Sequence, residues 1–200
     1  MKILHIISSP RGEASQTIQL GEAIIKKLVA KNNDATVTVR NLTVNPLPYI
    51  IDAHIQSFNT PAENRSAEHL KDLRNSDEVL AELKNADVLV IGAPMYNFGI
   101  PAVLKSWIDH LARAGVSFTY TADGPVGLIK GKKVFLAIGT GGIYSEGDYK
   151  AYDFIEPYLR TSLGFFGMTD VTAFRIEGVS VSVLKDNAMQ VALEKLSVLD

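Results

Sequence analysis

A run of hydroxyl side chains, SSPRGEASQT over residues 8–17, holds the first residues suited to chemistry in this 200-residue sequence. Ser9, Ser15 and Thr17 lie at the predicted start of a helix, where backbone N–H groups and the helix dipole favour an anion. The run lacks the Gly-Lys-Ser/Thr ending of a Walker A loop and the G-x-G-x-x-G pattern of dinucleotide sites. It therefore predicts a site for a single phosphate group, with a plain helix cap at Ser15 or Thr17 as an equal alternative.

A second loop, PMYNFGIP over residues 94–101, is unusually apolar and stiff. Loops between a strand and a helix are normally small and polar, but this one carries Met95, Tyr96 and Phe98. Pro94 and Pro101 each fix one backbone φ angle. At the end of a buried strand, the pattern favours a surface for a flat ring system over the alternative that Met95 and Phe98 pack into the core.

A third loop, GTGGIYSEGDY over residues 139–149, is rich in glycine. Gly139, Gly141 and Gly142 allow backbone N–H groups to approach a ligand closely and to form an anion-favouring nest. Tyr144 is placed to cover such a site. The alternative is an ordinary glycine-rich turn.

The elements that must position these loops alternate between strands and helices. Apolar runs predict strands over residues 2–8, 35–42, 87–94, 133–140 and 171–178. Helical spacing of apolar residues predicts helices over 15–32, 52–58, 66–85, 102–114, 152–163 and 186–199, and residues 115–133 form an excursion with strand pieces around a Gly-Pro turn. The predicted fold class is α/β, a doubly wound five-stranded parallel sheet with helices on both faces. Right-handed crossovers then bring the three loops to one edge of the sheet.

Composition excludes several classes of function. The formal charge of −2 offers no basic footprint for nucleic acid, and the absence of cysteine excludes a disulfide scaffold and a thiol nucleophile. No apolar run is long enough to span a membrane, and the N-terminus reads as a strand, so we expect a cytoplasmic protein with one domain over residues 1–200. The four histidines show no metal-ligand spacing; we predict His5 in the core and His54, His69 and His110 at the surface.

Taken together, the three loops describe a site for flavin mononucleotide: hydroxyls for the phosphate, rigid aromatics for the ring and glycines for its pyrimidine edge. Several motifs then extend along nearly the whole chain in order: APMYNF with K-x-W-I-D, ARAGVSFTYTADGP with GKK, GGIY, and PYLRTSLGFFGMTDV. In these motifs the chain resembles the FMN-dependent NADH azoreductase family, which is similar to the quinone reductases.

The resemblance implies a flavodoxin-like homodimer with one FMN per subunit. It implies that contacts to the cofactor are made by Ser9, Ser15, Gln16, Thr17, Met95, Tyr96, Asn97, Phe98, Gly139, Thr140, Gly141 and Gly142. Phe118 and Tyr120 are expected to help wall the substrate pocket, which extends across the dimer, and Tyr144 is expected to contact the substrate. The chain departs from the family pattern in having Gly139 and Thr140 in place of Ser-Arg, and Tyr144 in place of His.

The implied activity is a two-step reduction in which NADH or NADPH is the electron donor and a quinone or an aromatic azo compound is the acceptor. The flavin performs the chemistry, so no catalytic side chain and no metal is expected. The alternative is an FMN-binding electron carrier or sensor without turnover.

Overall fold

The computed structural model describes residues 1–199, and residue 200, which the predicted domain includes, lies outside the described residues. Within residues 1–199, seven strands form two sheets: β1 (Lys2–Ile7), β2 (Thr36–Asn41), β3 (Val88–Pro94), β4 (Phe118–Thr121), β5 (Gly124–Gly127), β6 (Lys133–Gly139) and β7 (Asp170–Ile176). The α-helices are α1 (Gln16–Ala30), α2 (Asp52–Asn59), α3 (Ala67–Asn85), α4 (Ala102–Leu111), α5 (Glu156–Phe165) and α6 (Ala188–Glu194). Short 3-10 helices cover Gly12–Ala14, Ala62–Asn64, Asp148–Tyr152 and Lys195–Leu199.

The main sheet has five parallel strands in the order β2-β1-β3-β6-β7. The order reverses between β1 and β3, because the chain first adds β2 on one side of β1 and then adds the later strands on the other. The predicted doubly wound parallel sheet is therefore confirmed. Its reversal point is where open α/β sheets bind ligands.

Two apolar clusters cover the two faces of the sheet. One joins the sheet to α3, α4 and α5, with Trp107 fully buried at its centre. The other joins the sheet to α1 and α6 through residues such as Leu20, Ile24 and Ala192. Strands β3 and β6 are apolar on both faces because both faces are covered, as is usual for parallel sheets.

The predicted excursion forms the antiparallel hairpin of β4 and β5, in which Thr121 pairs with Gly124. Its turn lies at residues 122–123, just before the predicted Gly-Pro pair. The backbone at Gly127 runs against that at Gly167, since a Cβ built on Gly127 would meet the Gly167 nitrogen at 2.1 Å. This close approach fixes the hairpin against the end of α5.

The prediction for the histidines is only partly confirmed. His5 is buried as predicted, at 2% exposure. His54 and His110 are also buried, which makes their predicted surface position wrong. The Nε2 of His110 lies 2.9 Å from the Pro48 carbonyl oxygen, and its ring meets His54 edge to face at 5.6 Å. These two rings close the interface between α2 and α4. None of the helices formed by residues 1–199 combines the length and apolar character that crossing a bilayer requires.

Candidate functional site

Four loops meet around one cavity of about 250 Å³ at the carboxyl edge of the sheet. They follow β1, β3, β6 and β7. The lining residues are Ser9, Arg11, Ser15, Gln16, Thr17, Pro94, Met95, Tyr96, Gly139, Thr140, Gly141, Val179 and Ser180. The sequence predicted the first three loops, and the structure brings them together.

The loop after β1 forms a polar corner of this cavity. Ser15 caps α1, its Oγ accepting from the Ile18 N–H at 3.4 Å, and the same Oγ lies 3.1 Å from Oγ1 of Thr17. The backbone N–H groups of Gln16 and Thr17 lie in the first turn, where the helix itself supplies no acceptor. Ser15 thus caps the helix and also lines the cavity.

Arg11 adds a positive charge that the sequence analysis did not single out. It is the one charged side chain among the described residues that line the cavity. Ser9 is buried beside it, and its Oγ accepts from the Arg11 N–H at 3.4 Å. Hydroxyls, free N–H groups and a guanidinium together form a corner suited to a dianion.

The loop after β3 projects as a tight turn over residues 96–99. Tyr96 and Gly99 exchange both backbone hydrogen bonds, at 3.0 and 3.1 Å. Asn97 and Phe98 between them have positive φ angles of 49° and 69°, the pattern of a type I′ turn. Positive φ is common for asparagine but rare for phenylalanine, and such strain tends to persist at functional sites.

The apolar residues of this loop lie in different surroundings. Met95 packs partly against the core and lines the cavity, and its N–H donates to the Gly139 carbonyl at 2.8 Å. Tyr96 and Phe98 are exposed, so Phe98 does not fill the core. Asn97 faces a neighbouring groove of about 610 Å³ that Tyr96 also lines.

The glycines of the loop after β6 permit close approaches. A Cβ on Gly139 would lie 2.7 Å from Cγ2 of Thr17, which brings the end of β6 against the start of α1. A Cβ on Gly141 would meet Ser180 Oγ at 3.0 Å, and one on Gly142 would meet the Tyr144 ring at 3.2 Å. Gly142 is not among the residues that line the cavity.

Val179 and Ser180, in segment 177–180 after β7, form the fourth wall, which sequence reasoning missed. Backbone N–H groups of this segment donate to three carbonyls of the loop after β6. The Gly178 N–H donates to Gly142 at 3.1 Å, that of Ser180 to Gly141 at 2.9 Å, and that of Val179 to Thr140 at 3.4 Å. The Glu177 carboxylate accepts from the Tyr144 N–H at 2.8 Å and from the Ser145 N–H at 3.0 Å. The segment after β7 therefore shapes the glycine loop.

Phe118 and Tyr120 are placed away from this cavity. They line a separate groove of about 410 Å³ together with Ile50, Ile55 and Phe58. Phe118 packs on Phe165 at 4.5 Å between ring centroids, and Tyr120 is 70% exposed.

The fold and this cavity define the class of flavodoxin-like proteins, in which loops at the switch point of a doubly wound sheet hold the ligand. A family model described as "Flavodoxin-like fold" matches residues 1–199, and the chain belongs to this family.

Named relatives narrow the comparison. The chain is 50% identical over 180 residues to the FMN-dependent NADH:quinone oxidoreductase of Herminiimonas arsenicoxydans, covering 90% of this chain and 88% of that protein. It is 44% identical over 195 residues to the protein of the same name from Mesorhizobium japonicum, covering 98% and 91%. Among solved structures, an azoreductase from Bacillus anthracis strain Sterne superposes with a TM-score of 0.91 at 32% identity, covering 100% and 98% of the two chains. An FMN-dependent NADH-azoreductase from Bacillus anthracis strain Ames Ancestor, solved in complex with FMN, superposes with a TM-score of 0.86 at 27% identity, covering 99% and 98%.

Proposed function

We propose that this chain is an FMN-dependent oxidoreductase that uses NADH or NADPH to reduce quinones and aromatic azo compounds. The proposal rests on one observation: a single cavity combines a corner suited to an anion with an apolar, aromatic rim. The corner suits a phosphate, and the rim suits a flat ring system. The names of the relatives at 44–50% identity support NADH-dependent quinone reduction, and the azoreductase structure at 32% identity supports reduction of azo compounds.

The residues present fit FMN at three places. The hydroxyls and N–H groups of Ser9, Ser15, Gln16 and Thr17, with Arg11 as countercharge, suit its phosphate. Gly139 and Gly141 line the cavity with backbone alone, and the absence of a Cβ lets them pack against Thr17 and Ser180. The remaining assigned contacts lie on the turn and the glycine loop: Met95, Tyr96, Asn97, Phe98, Thr140 and Gly142.

The chain's own groups bind and orient the cofactor. When bound, FMN supplies the transfer of a hydride from the reduced nicotinamide to the acceptor. The carbonyls of Thr140, Gly141 and Gly142 are bonded to the segment after β7, which fixes the loop with the Gly141 backbone at the cavity wall, where its N–H can donate to the ligand. Donors fixed in this way can stabilise negative charge at the pyrimidine edge.

We expect ping-pong kinetics with no essential side-chain acid or base. The electron donor and the acceptor are expected to stack in turn on the same face of the flavin. Double-reciprocal plots of NADH oxidation at several menadione concentrations should therefore be parallel. No His or Lys lies among the described residues that line the cavity. Tyr144→Phe should therefore change activity less than about tenfold, since acid–base groups typically contribute 10²–10⁴-fold.

Intersecting plots would indicate a ternary complex and contradict the shared face. A thousandfold loss in Tyr144→Phe with FMN still bound would reveal an essential proton donor. The competing assignment, an electron carrier or sensor without turnover, predicts a yellow protein that binds FMN and does not oxidise NADH in the presence of menadione.

We also propose that the protein is a homodimer in the cytoplasm, where reduced nicotinamide nucleotides are available. The hairpin supports the dimer because it exposes Tyr120, Val126 and Leu128 beside the groove that Phe118 lines. Phe118 and Tyr120 lie away from the cavity of their own subunit. They can therefore line the substrate pocket only if this groove faces the cavity of the partner subunit in a dimer. Light scattering at micromolar concentration should give twice the monomer mass, and a fully active monomer would contradict it.

A further inference from the structure

Four aromatic side chains from two segments form a continuous cluster beside the cavity, which we call the aromatic shelf: Phe98, Tyr144, Tyr149 and Tyr152. Phe98 lies 5.8 Å from Tyr152 and 6.3 Å from Tyr144, measured between ring centroids. Tyr149 lies 6.4 Å from Tyr144 and 6.3 Å from Tyr152. These distances fall in the range at which aromatic rings attract one another.

The shelf is exposed and adjoins the cavity. Phe98, Tyr149 and Tyr152 are 48%, 63% and 49% exposed. The shelf begins at the cavity rim, because the Tyr144 ring lies against Gly142, next to the lining residue Gly141. A contiguous aromatic surface left in water beside a binding cavity is typical of an interaction site.

The backbone of the shelf is held in an unfavourable conformation at Phe98. A positive φ at a residue with a Cβ costs free energy, and glycine would adopt it without that cost. The turn nevertheless carries phenylalanine, and its ring contacts both Tyr144 and Tyr152. The strained backbone at this position therefore places an aromatic ring in contact with the tyrosines of the shelf.

One buried guanidinium holds both ends of the segment that carries the three tyrosines. Arg175 lies with its Nε 3.3 Å from Glu177, which binds the N–H groups of Tyr144 and Ser145. The Arg175 Nη1 lies 2.9 Å from Asp153, next to Tyr152. Asp153 in turn accepts from the N–H groups of Ile155 and Glu156 at the start of α5.

This arrangement makes the shelf a preorganised surface. The side chains of Arg175 and Asp153 are 9% and 8% exposed, so their ion pair is shielded from solvent. Fixing both ends of the segment lowers the entropy that is lost when a ligand orders it.

We infer that Tyr149 and Tyr152 select the electron acceptor: the shelf binds the outer rings of acceptors with two or more fused or linked aromatic rings, while one-ring acceptors bind without it. The inference rests on the proposed function, because the acceptor must react at the neighbouring cavity. It assigns to Tyr149 and Tyr152 a role in substrate selection and none in binding FMN.

The test compares the double variant Tyr149→Leu/Tyr152→Leu with the wild-type holoenzyme and with Phe154→Leu. Phe154 is 57% exposed in the same segment and lies outside the shelf, so it controls for the loss of an exposed ring. Anthraquinone-2-sulfonate serves as the three-ring probe and 1,4-benzoquinone as the one-ring probe. Binding of the three-ring probe to the oxidised holoenzyme, without NADH, is followed through the flavin absorbance.

In the double variant we expect the Kd for anthraquinone-2-sulfonate to rise about tenfold, because two aromatic ring contacts are lost. The KM for benzoquinone should change less than about twofold, and the Kd for FMN should stay as in the wild type. Tyr149→Phe/Tyr152→Phe, which keeps both rings, should bind the three-ring probe as the wild type does.

An unchanged Kd for anthraquinone-2-sulfonate, or an equal loss for both probes, would overturn the shelf's role. A change in subunit association with no change in probe binding would assign the shelf to a protein interface instead. Wild-type protein that binds no FMN would be a failure of the proposed function, and the two failures are therefore distinguishable.

Discussion

Replacing Ser15 and Thr17 together by aspartate should raise the Kd for FMN at least about 100-fold, equivalent to about 2.7 kcal/mol. Both side chains line the polar corner at the start of α1, 3.1 Å apart between their oxygens. Two unit charges about 4 Å apart repel by about 4 kcal/mol at an effective dielectric constant of 20, so even a partly screened carboxylate would repel a phosphate strongly. Flavin fluorescence, which changes on release from the protein, measures the Kd.

The matched control is Ser15→Asn/Thr17→Asn, which has nearly the same shape without the charge. Aspartate and asparagine are equally good N-caps, so α1 should begin at the same residue in both variants. We expect the asparagine variant to bind FMN much more tightly than the aspartate variant at equal thermal stability. Equal affinity in the two variants would show that the phosphate lies elsewhere.

Acidification should reduce the free energy of unfolding through His5, with a loss of about 2 kcal/mol between pH 7 and pH 4.5. Burial lowers the pKa of His5 from 6.5 to about 4, because the charged ring is disfavoured in the apolar interior. Its ring lies tightly against α1, as a Cβ on Gly21 would meet His5 Nε2 at 2.7 Å. Between these two pKa values the unfolded chain binds more protons than the folded one, so stability is full at neutral pH and falls as the pH drops.

His5→Leu should remove this part of the acid sensitivity, which urea unfolding at pH 7 and pH 4.5 measures. Ile3→Val, on the same face of β1, is the control: it should lower stability by about 1 kcal/mol equally at both pH values. If His5→Leu and the wild type lose the same stability on acidification, the ring is already solvated in the folded state.

The central strands could be predicted closely because burial on both faces makes them continuous apolar runs. β3 and β6 begin and end within one residue of the predicted bounds. The bounds of α5 were less accurate: the predicted helix over 152–163 begins only at Glu156, with Pro157 in its first turn. Proline is favoured in the first turn of a helix, so Pro157 itself indicates that the helix begins close to residue 156.

The three predicted loops meet, since parallel strands share one carboxyl edge. What the sequence did not reveal depends on contacts between distant segments. Val179 and Ser180 follow an edge strand and reach the cavity only because their N–H groups bond to the glycine loop. The same applies to Arg175, whose pairing with Glu177 and Asp153 joins residues that no local pattern connects. His54 and His110 are similar, because their burial depends on how α2 packs beside α4 rather than on either helix alone.

The hydrogen bonds between the glycine loop and residues 177–180 have a consequence for when the protein acquires its cofactor. During synthesis the hydroxyl loop emerges first, the aromatic turn second and the glycine loop third. The carbonyls of the glycine loop can bond to the N–H groups of residues 178–180 only after β7 has joined the edge of the sheet. A nascent chain in which only the first three loops have emerged lacks the hydrogen bonds that fix the glycine loop. We therefore expect flavin to bind at the end of folding, after the sheet is complete, and a folding intermediate without β7 in place to bind none.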